Sequence, residues 1–161
     1  MLEKLPPFKS LQEHFPATDA PSVKRLIGGK VNAPWITNAC AIRLSRALNY
    51  AGQQHRIPKP NNPFGLNVIS GSDRLWYAFR YLELVRYTQV FYGKPSTVLT
   101  GKDAANPAKL TGLTGIIAFD VGGWGDATGH IDLWNGGTCS KECYFLPGPG
   151  AKTHKLALWT C

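Results

Sequence analysis

Four cysteines and four histidines give this 161-residue chain its widest chemical range. Cys40 sits just inside a helix start. The helix cap is Asn38, or Thr37 one residue earlier, and from Asn38 the thiol takes the second helical position. Backbone N–H groups there lack intrahelical acceptors and the helix dipole is positive, so a thiolate is favoured. The competing use of Cys40 is as a small buried apolar residue. A base within reach would decide for chemistry. Of the histidines, His14 and His55 lie in Pro-rich or loop segments and read as surface residues, and His154 precedes the last strand. His130 opens a short strand straight after a Gly-rich turn, where backbone can approach a substrate closely.

A cysteine at a helix start and a histidine at a strand start, about 90 residues apart, form the layout of papain-like thiol hydrolases. The histidine draws the thiol proton and later protonates the leaving amine. The helix N-terminus adds N–H donors for an oxyanion. A third polar group should orient the ring. Glu142 falls across a hairpin turn, roughly opposite His130, and can accept from an imidazole N–H. Asp132 shares the face of His130 but lies two residues along, roughly 7 Å by strand rise, a marginal reach. Asp126, in the preceding loop, reads as a solvated acid. Glu142 is therefore the expected third residue, with Asp132 as the alternate.

Cys139 and Cys143 stand four apart beside a turn signal. They fit a local disulfide or half of a metal site. No second Cys/His pair stands at zinc spacing, which favours the disulfide. A disulfide implies an oxidising workplace. Cys161 has no evident partner. No cofactor and no metal are expected.

The elements that must position these residues change character along the chain. Residues 1–21 read as a Pro-rich wrapping arm with at most one short helical turn, and Ser22 caps a short helix to Ile27. Ala41, Leu44, Leu48 and Ala51 recur at helical spacing until Gly52. Residues 53–71 read as loop. A second helix is expected from Ser72 to about Arg86, and residues 93–114 again as loop. From residue 115 the period shortens. Gly115–Asp120 reads as a buried strand, and Gly129–Trp134 as an alternating one. Asn135-Gly136-Gly137 signals a hairpin. Return strands are expected at 142–146 and 155–159. Helices first and an antiparallel sheet after make an α+β domain, with residues 1–161 as a single catalytic domain.

Composition narrows the function classes. Apolar residues make up 43% and charged residues only 17%, which argues for a packed core and against disorder. No apolar run is long enough to span a membrane. Residues 1–20 lack a basic-then-apolar layout, so no signal peptide is expected. The net charge is +8, but residues 20–118 carry +10 and residues 119–161 carry −1. A scattered cationic surface suits an anionic partner.

Two blocks then resemble a known family. Asn38-Ala39-Cys40-Ala41-Ile42-Arg43-Leu44-Ser45-Arg46-Ala47-Leu48-Asn49 and Thr128-Gly129-His130-Ile131-Asp132-Leu133-Trp134-Asn135-Gly136 are similar to the family 4 amidase effectors of type VI secretion. Cys139-Ser140-Lys141-Glu142-Cys143-Tyr144-Phe145 resembles that family's disulfide-closed loop. The resemblance implies a papain-like fold of the NlpC type and hydrolysis of the γ-D-glutamyl–meso-diaminopimelate bond of peptidoglycan stem peptides. It implies that Cys40 is the nucleophile and His130 the base. It also implies delivery by type VI secretion from the producer cytoplasm into a rival's periplasm, and a cognate immunity protein. In that family the third residue is an aspartate between the paired cysteines. This chain has Lys141 there, with Glu142 beside it. Secretion by an injection machine would reconcile an oxidised cysteine pair with the lack of a signal peptide.

Two other readings remain open on sequence. One is a thiol hydrolase or deamidase toxin acting on a protein target. The other is a non-catalytic cationic module that holds an anionic polymer through Lys/Arg with Trp35, Trp76 and Tyr77. No nucleic-acid motif is present, so nucleic acid is not an expected partner.

Overall fold

The computed structural model describes residues 2–123 and 129–161. Helices α1 (Phe8–Glu13), α2 (Ala20–Ile27), α3 (Cys40–Asn49) and α4 (Tyr81–Tyr92) are joined by a small hairpin, β1 (Val68–Ser70) and β2 (Trp76–Ala78). The main sheet contains β3 (Thr97–Thr100), β4 (Gly115–Gly122), β5 (Gly129–Trp134) and β6 (Lys152–Thr160). Its order is β3-β6-β4-β5, with every neighbouring pair antiparallel. This is the α+β arrangement expected from the change of period at residue 115.

Alternation along β4 and β5 serves two cores rather than a core and solvent. Ile116, Ala118, Ile131 and Leu133 pack against Cys40, Leu44 and Leu48 of α3 and Leu84 and Tyr87 of α4. Ile117, Phe119, Trp134, Leu156 and Leu158 fill the opposite face with Leu110 and Phe145. All six residues of β5 are buried, although β5 is an edge strand. Helix α3 covers its side of the sheet and makes its own polar groups useful. Ser45 Oγ accepts the Ala78 N–H at 3.0 Å, and Asn49 Nδ2 donates to the Trp76 carbonyl at 2.7 Å. These bonds fix the β1–β2 hairpin to α3.

Several boundaries differ from the sequence reading. Helix α2 starts before Ser22, because Asp19 is the cap and accepts the Ser22 N–H at 2.8 Å, with Pro21 in the first turn. The helix expected from Ser72 begins instead at Tyr81. Asp73 Oδ1 accepts the Leu75 N–H at 3.0 Å, and Arg74 takes φ 66°, so the chain turns sharply and becomes a strand. The apolar spacing of Leu75 and Phe79 mimics a helix that this turn forbids. Within 93–114, β3 forms because Thr97–Thr100 pairs with Leu158–Lys155 of β6. The return strand expected at 142–146 is absent. After an isolated bridge between Trp134 and Cys139, the chain leaves the sheet to form a disulfide loop. His55 is buried, not a surface residue, and its Nδ1 lies 2.8 Å from the Tyr92 hydroxyl. No helix among the described residues is long and apolar enough to cross a membrane.

Candidate active site

Cys40 is the first residue of α3 and is 2% exposed. Asn38 does act at this helix start, but one step away from a regular cap: its Oδ1 accepts the Cys40 N–H at 3.0 Å, while Ala39 occupies the cap position. The thiol therefore sits at the positive end of a ten-residue helix. The helix is held there by its apolar stripe against β5.

His130 stands on β5, opposite Phe119 of β4. Gly129 before it allows a close approach. A Cβ at that position would collide with the Phe119 carbonyl oxygen and lie 2.5 Å from the Tyr81 ring. The Tyr81 hydroxyl in turn donates to Asp120 Oδ1 at 2.9 Å. Tyr144 stands edge-on to the imidazole, 4.7 Å between centroids.

Strand rise made Asp132 a marginal partner, yet the side chains lean together. His130 Nε2 and Asp132 Oδ2 are 2.7 Å apart. The contact expected of Glu142 is thus made by Asp132. Glu142 turns its carboxylate to the Tyr144 hydroxyl at 2.9 Å and gives its backbone N–H, not its side chain, to Asp132 Oδ2 at 3.0 Å. The reason is the loop: with no strand at 142–146, Glu142 does not face His130 across a ladder. Lys141 N–H and Leu133 N–H donate to Asp132 Oδ1 at 3.1 and 2.7 Å. A carboxylate with no exposure thereby collects four donors. Asp126 and Thr128 lie outside the described residues.

The Cys139–Cys143 disulfide closes the loop that supplies two of those donors, with the Cα atoms 5.3 Å apart. Both sulfurs are consumed, so this pair is not half of a metal site. Among the described residues, no group of three or more His, Cys, Asp or Glu is arranged to hold a metal ion. Cys161 is an exposed free thiol.

Burial disfavours a charged His130 ring. Its hydrogen bonds to Asp132 and Cys40, together with their negative charges, outweigh that, and the pKa is pushed up to about 9. Asp132 occupies Nε2, which leaves Nδ1 for the thiol. Cys40, His130, Glu142 and Tyr144 open onto one cleft of about 1020 Å³, which also borders Asn38, Arg43 and Lys141. A thiol at a helix start, a basic ring and an orienting carboxylate in one cleft can carry out acyl transfer to water.

A family model described as "Type VI secretion system (T6SS), amidase effector protein 4" matches residues 36–159. The chain belongs to the Tae4 family. The match spans both the Cys40 helix and the His130 strand. Tae4 from Enterobacter cloacae is 34% identical, with 99% of each chain covered and a TM-score of 0.85. The Tae4–Tai4 effector–immunity complex from the same organism gives 34% identity, 97% of this chain and 98% of that one, and a TM-score of 0.84. Tae4 from Salmonella typhimurium in complex with the Enterobacter cloacae immunity protein Tai4 gives 30% identity, 97% and 99% coverage, and a TM-score of 0.86. No curated protein matches the chain. The α+β, papain-like arrangement is therefore that of the Tae4 family.

Two features of this Tae4 chain were missed from sequence. Tyr144 and Tyr81 meet the His130 strand only after the disulfide loop and α4 fold over it, and no spacing rule signals such contacts. Burial and the hydrogen bond to Glu142 push the Tyr144 hydroxyl well above its ordinary value.

Proposed function

We propose that this Tae4 chain hydrolyses the γ-D-glutamyl–meso-diaminopimelate bond of peptidoglycan stem peptides. Cys40 is the nucleophile, His130 the general base and acid, and Asp132 the residue that orients the ring. The observation that carries this reading is that Cys40 and His130, with Asp132 2.7 Å from the ring, meet at the wall of one open cleft.

The chemistry follows from the atoms present. The Cys40 thiolate attacks the scissile carbonyl carbon, and the new oxyanion faces the positive end of α3. His130 Nδ1, protonated, gives its proton to the departing diaminopimelate nitrogen as the C–N bond breaks. A thioester on Cys40 and a free amine result. Water then gives one proton to His130 and attacks the thioester. Collapse releases the glutamyl carboxylic acid, whose proton passes through solvent to the free amine, and restores the thiolate–imidazolium pair. One water is consumed for each bond broken. Asp132 keeps Nε2 engaged throughout, so the ring presents the same nitrogen in both steps.

Solved relatives bound to Tai4 support a cognate immunity protein as a partner of this chain. Delivery from the producer cytoplasm to a rival's periplasm by type VI secretion suits a disulfide beside the site. The net charge of +8 suits attraction to an anionic wall polymer.

Mass spectrometry of digested purified sacculi tests the bond. The expected products are stem fragments ending in D-glutamate and fragments beginning with diaminopimelate. Intact stems, together with cleavage or deamidation of a protein substrate, would replace this reading with that of a protein-directed toxin.

A further inference from the structure

Arg43 stands three residues after Cys40 on α3, about 4.5 Å further along the axis. It is 5% exposed, yet it borders the same cleft as the thiol. Its Nη2 donates to the Thr18 carbonyl at 2.8 Å, and Nε has no hydrogen-bond partner among the described residues. None of the described ion pairs includes it. Burial pulls its pKa below the ordinary arginine value, and interactions with Cys40, Asp132, Tyr144 and Asp19 offset this only partly. The guanidinium stays protonated.

A buried cation with an unsatisfied N–H is costly, and an apolar side chain at this point of a packed helix would avoid that cost. The arrangement becomes favourable when an anion enters the cleft. The stem peptide supplies one next to the reacting bond. A γ-linked glutamyl residue keeps its α-carboxylate free, and diaminopimelate carries free carboxylates on the other side. A planar guanidinium is the side chain best shaped to take a carboxylate.

We propose that Arg43 is the carboxylate-recognising residue of this cleft and binds a free carboxylate that flanks the scissile amide. This rests on the stem-peptide reading above. It makes Arg43 a specificity residue one helical turn from the nucleophile, so that the charge next to the bond, and not the peptide alone, selects the substrate.

The test compares three L-Ala-γ-D-Glu-diaminopimelate tripeptides: free acid, glutamyl α-amide and diaminopimelate amide. Wild type should lose about 10- to 100-fold in kcat/KM on one amide, and the arm that drops identifies the carboxylate. Arg43→Gln should lose a similar factor on the free acid and become indifferent to that amidation. Each ratio is taken within one preparation, so a poorly folding variant does not distort it. Binding of the same peptides to Cys40→Ala and Cys40→Ala/Arg43→Gln gives the ratio where turnover is lost. Equal handling of all three peptides by wild type overturns the inference alone, as does an unchanged ratio in Arg43→Gln. Failure of wild type to cleave any of them overturns the stem-peptide reading and this inference with it.

Discussion

His130 Nε2 lies 2.7 Å from Asp132 Oδ2, two residues further along the same strand. In-strand neighbours on one face are ordinarily too far apart for a direct bond. Here the carboxylate is pinned from below by the Leu133, Lys141 and Glu142 backbone N–H groups, which draws it toward the ring. The orienting group thus comes from the histidine's own strand, and the disulfide loop serves to hold it.

Asp132→Asn should lower kcat by about 100-fold or more, because an amide fixes the wrong ring tautomer and does not stabilise the imidazolium. Glu142→Gln should stay within about threefold of wild type, since its carboxylate touches Tyr144 and not His130. Steady-state kinetics on one muropeptide with both variants checks this. The reverse ranking would return the role to Glu142.

The raised His130 pKa sets a pH window. The ordinary value is 6.5 and the folded one about 9, so the folded state binds this proton more tightly. Its stabilisation is fully present below pH 6.5 and is lost as pH rises through about 9. Thermal melts should therefore fall across that interval, and the alkaline limb of the rate profile should lie near pH 9. Asp132→Asn should move that limb to lower pH.

Reduction of Cys139–Cys143 should cost stability and rate together. Closing so short a loop contributes about 2 kcal/mol in the chain-entropy picture. Freeing the loop also loosens the two N–H donors on Asp132. The Cys139→Ser/Cys143→Ser variant should melt earlier and show a reduced kcat with KM little changed, read by calorimetry and kinetics.

Gly129→Ala should destabilise by about 1–3 kcal/mol, because the added methyl meets the Phe119 carbonyl and the Tyr81 ring. Denaturant titration measures this. Tyr81→Phe, which removes only the hydroxyl bonded to Asp120, should be milder.

The parts of the fold written in local chemistry were legible in the sequence. The periodicity from Ala41 to Leu48 marks α3, and the short apolar runs mark β4 and β5. Placement of Cys40 at one element's start and His130 at another's follows from these. What escaped depends on closure of the chain. Leu75 and Phe79 suggest a helix, but the turn at Asp73 and Arg74 intervenes. Glu142 faces His130 only if residues 142–146 form a strand, and the disulfide loop prevents one. Asp132 looks too distant by strand rise until three backbone donors draw its side chain in. His55 reads as a loop residue because its partner, Tyr92, is 37 positions away.

The most direct measurement of the central claim is release of soluble stem fragments from purified sacculi by wild type and by Cys40→Ala, with circular dichroism showing that both are folded. The thiol mechanism predicts fragment release by wild type and none above background by Cys40→Ala. Full release by a folded Cys40→Ala protein would contradict it.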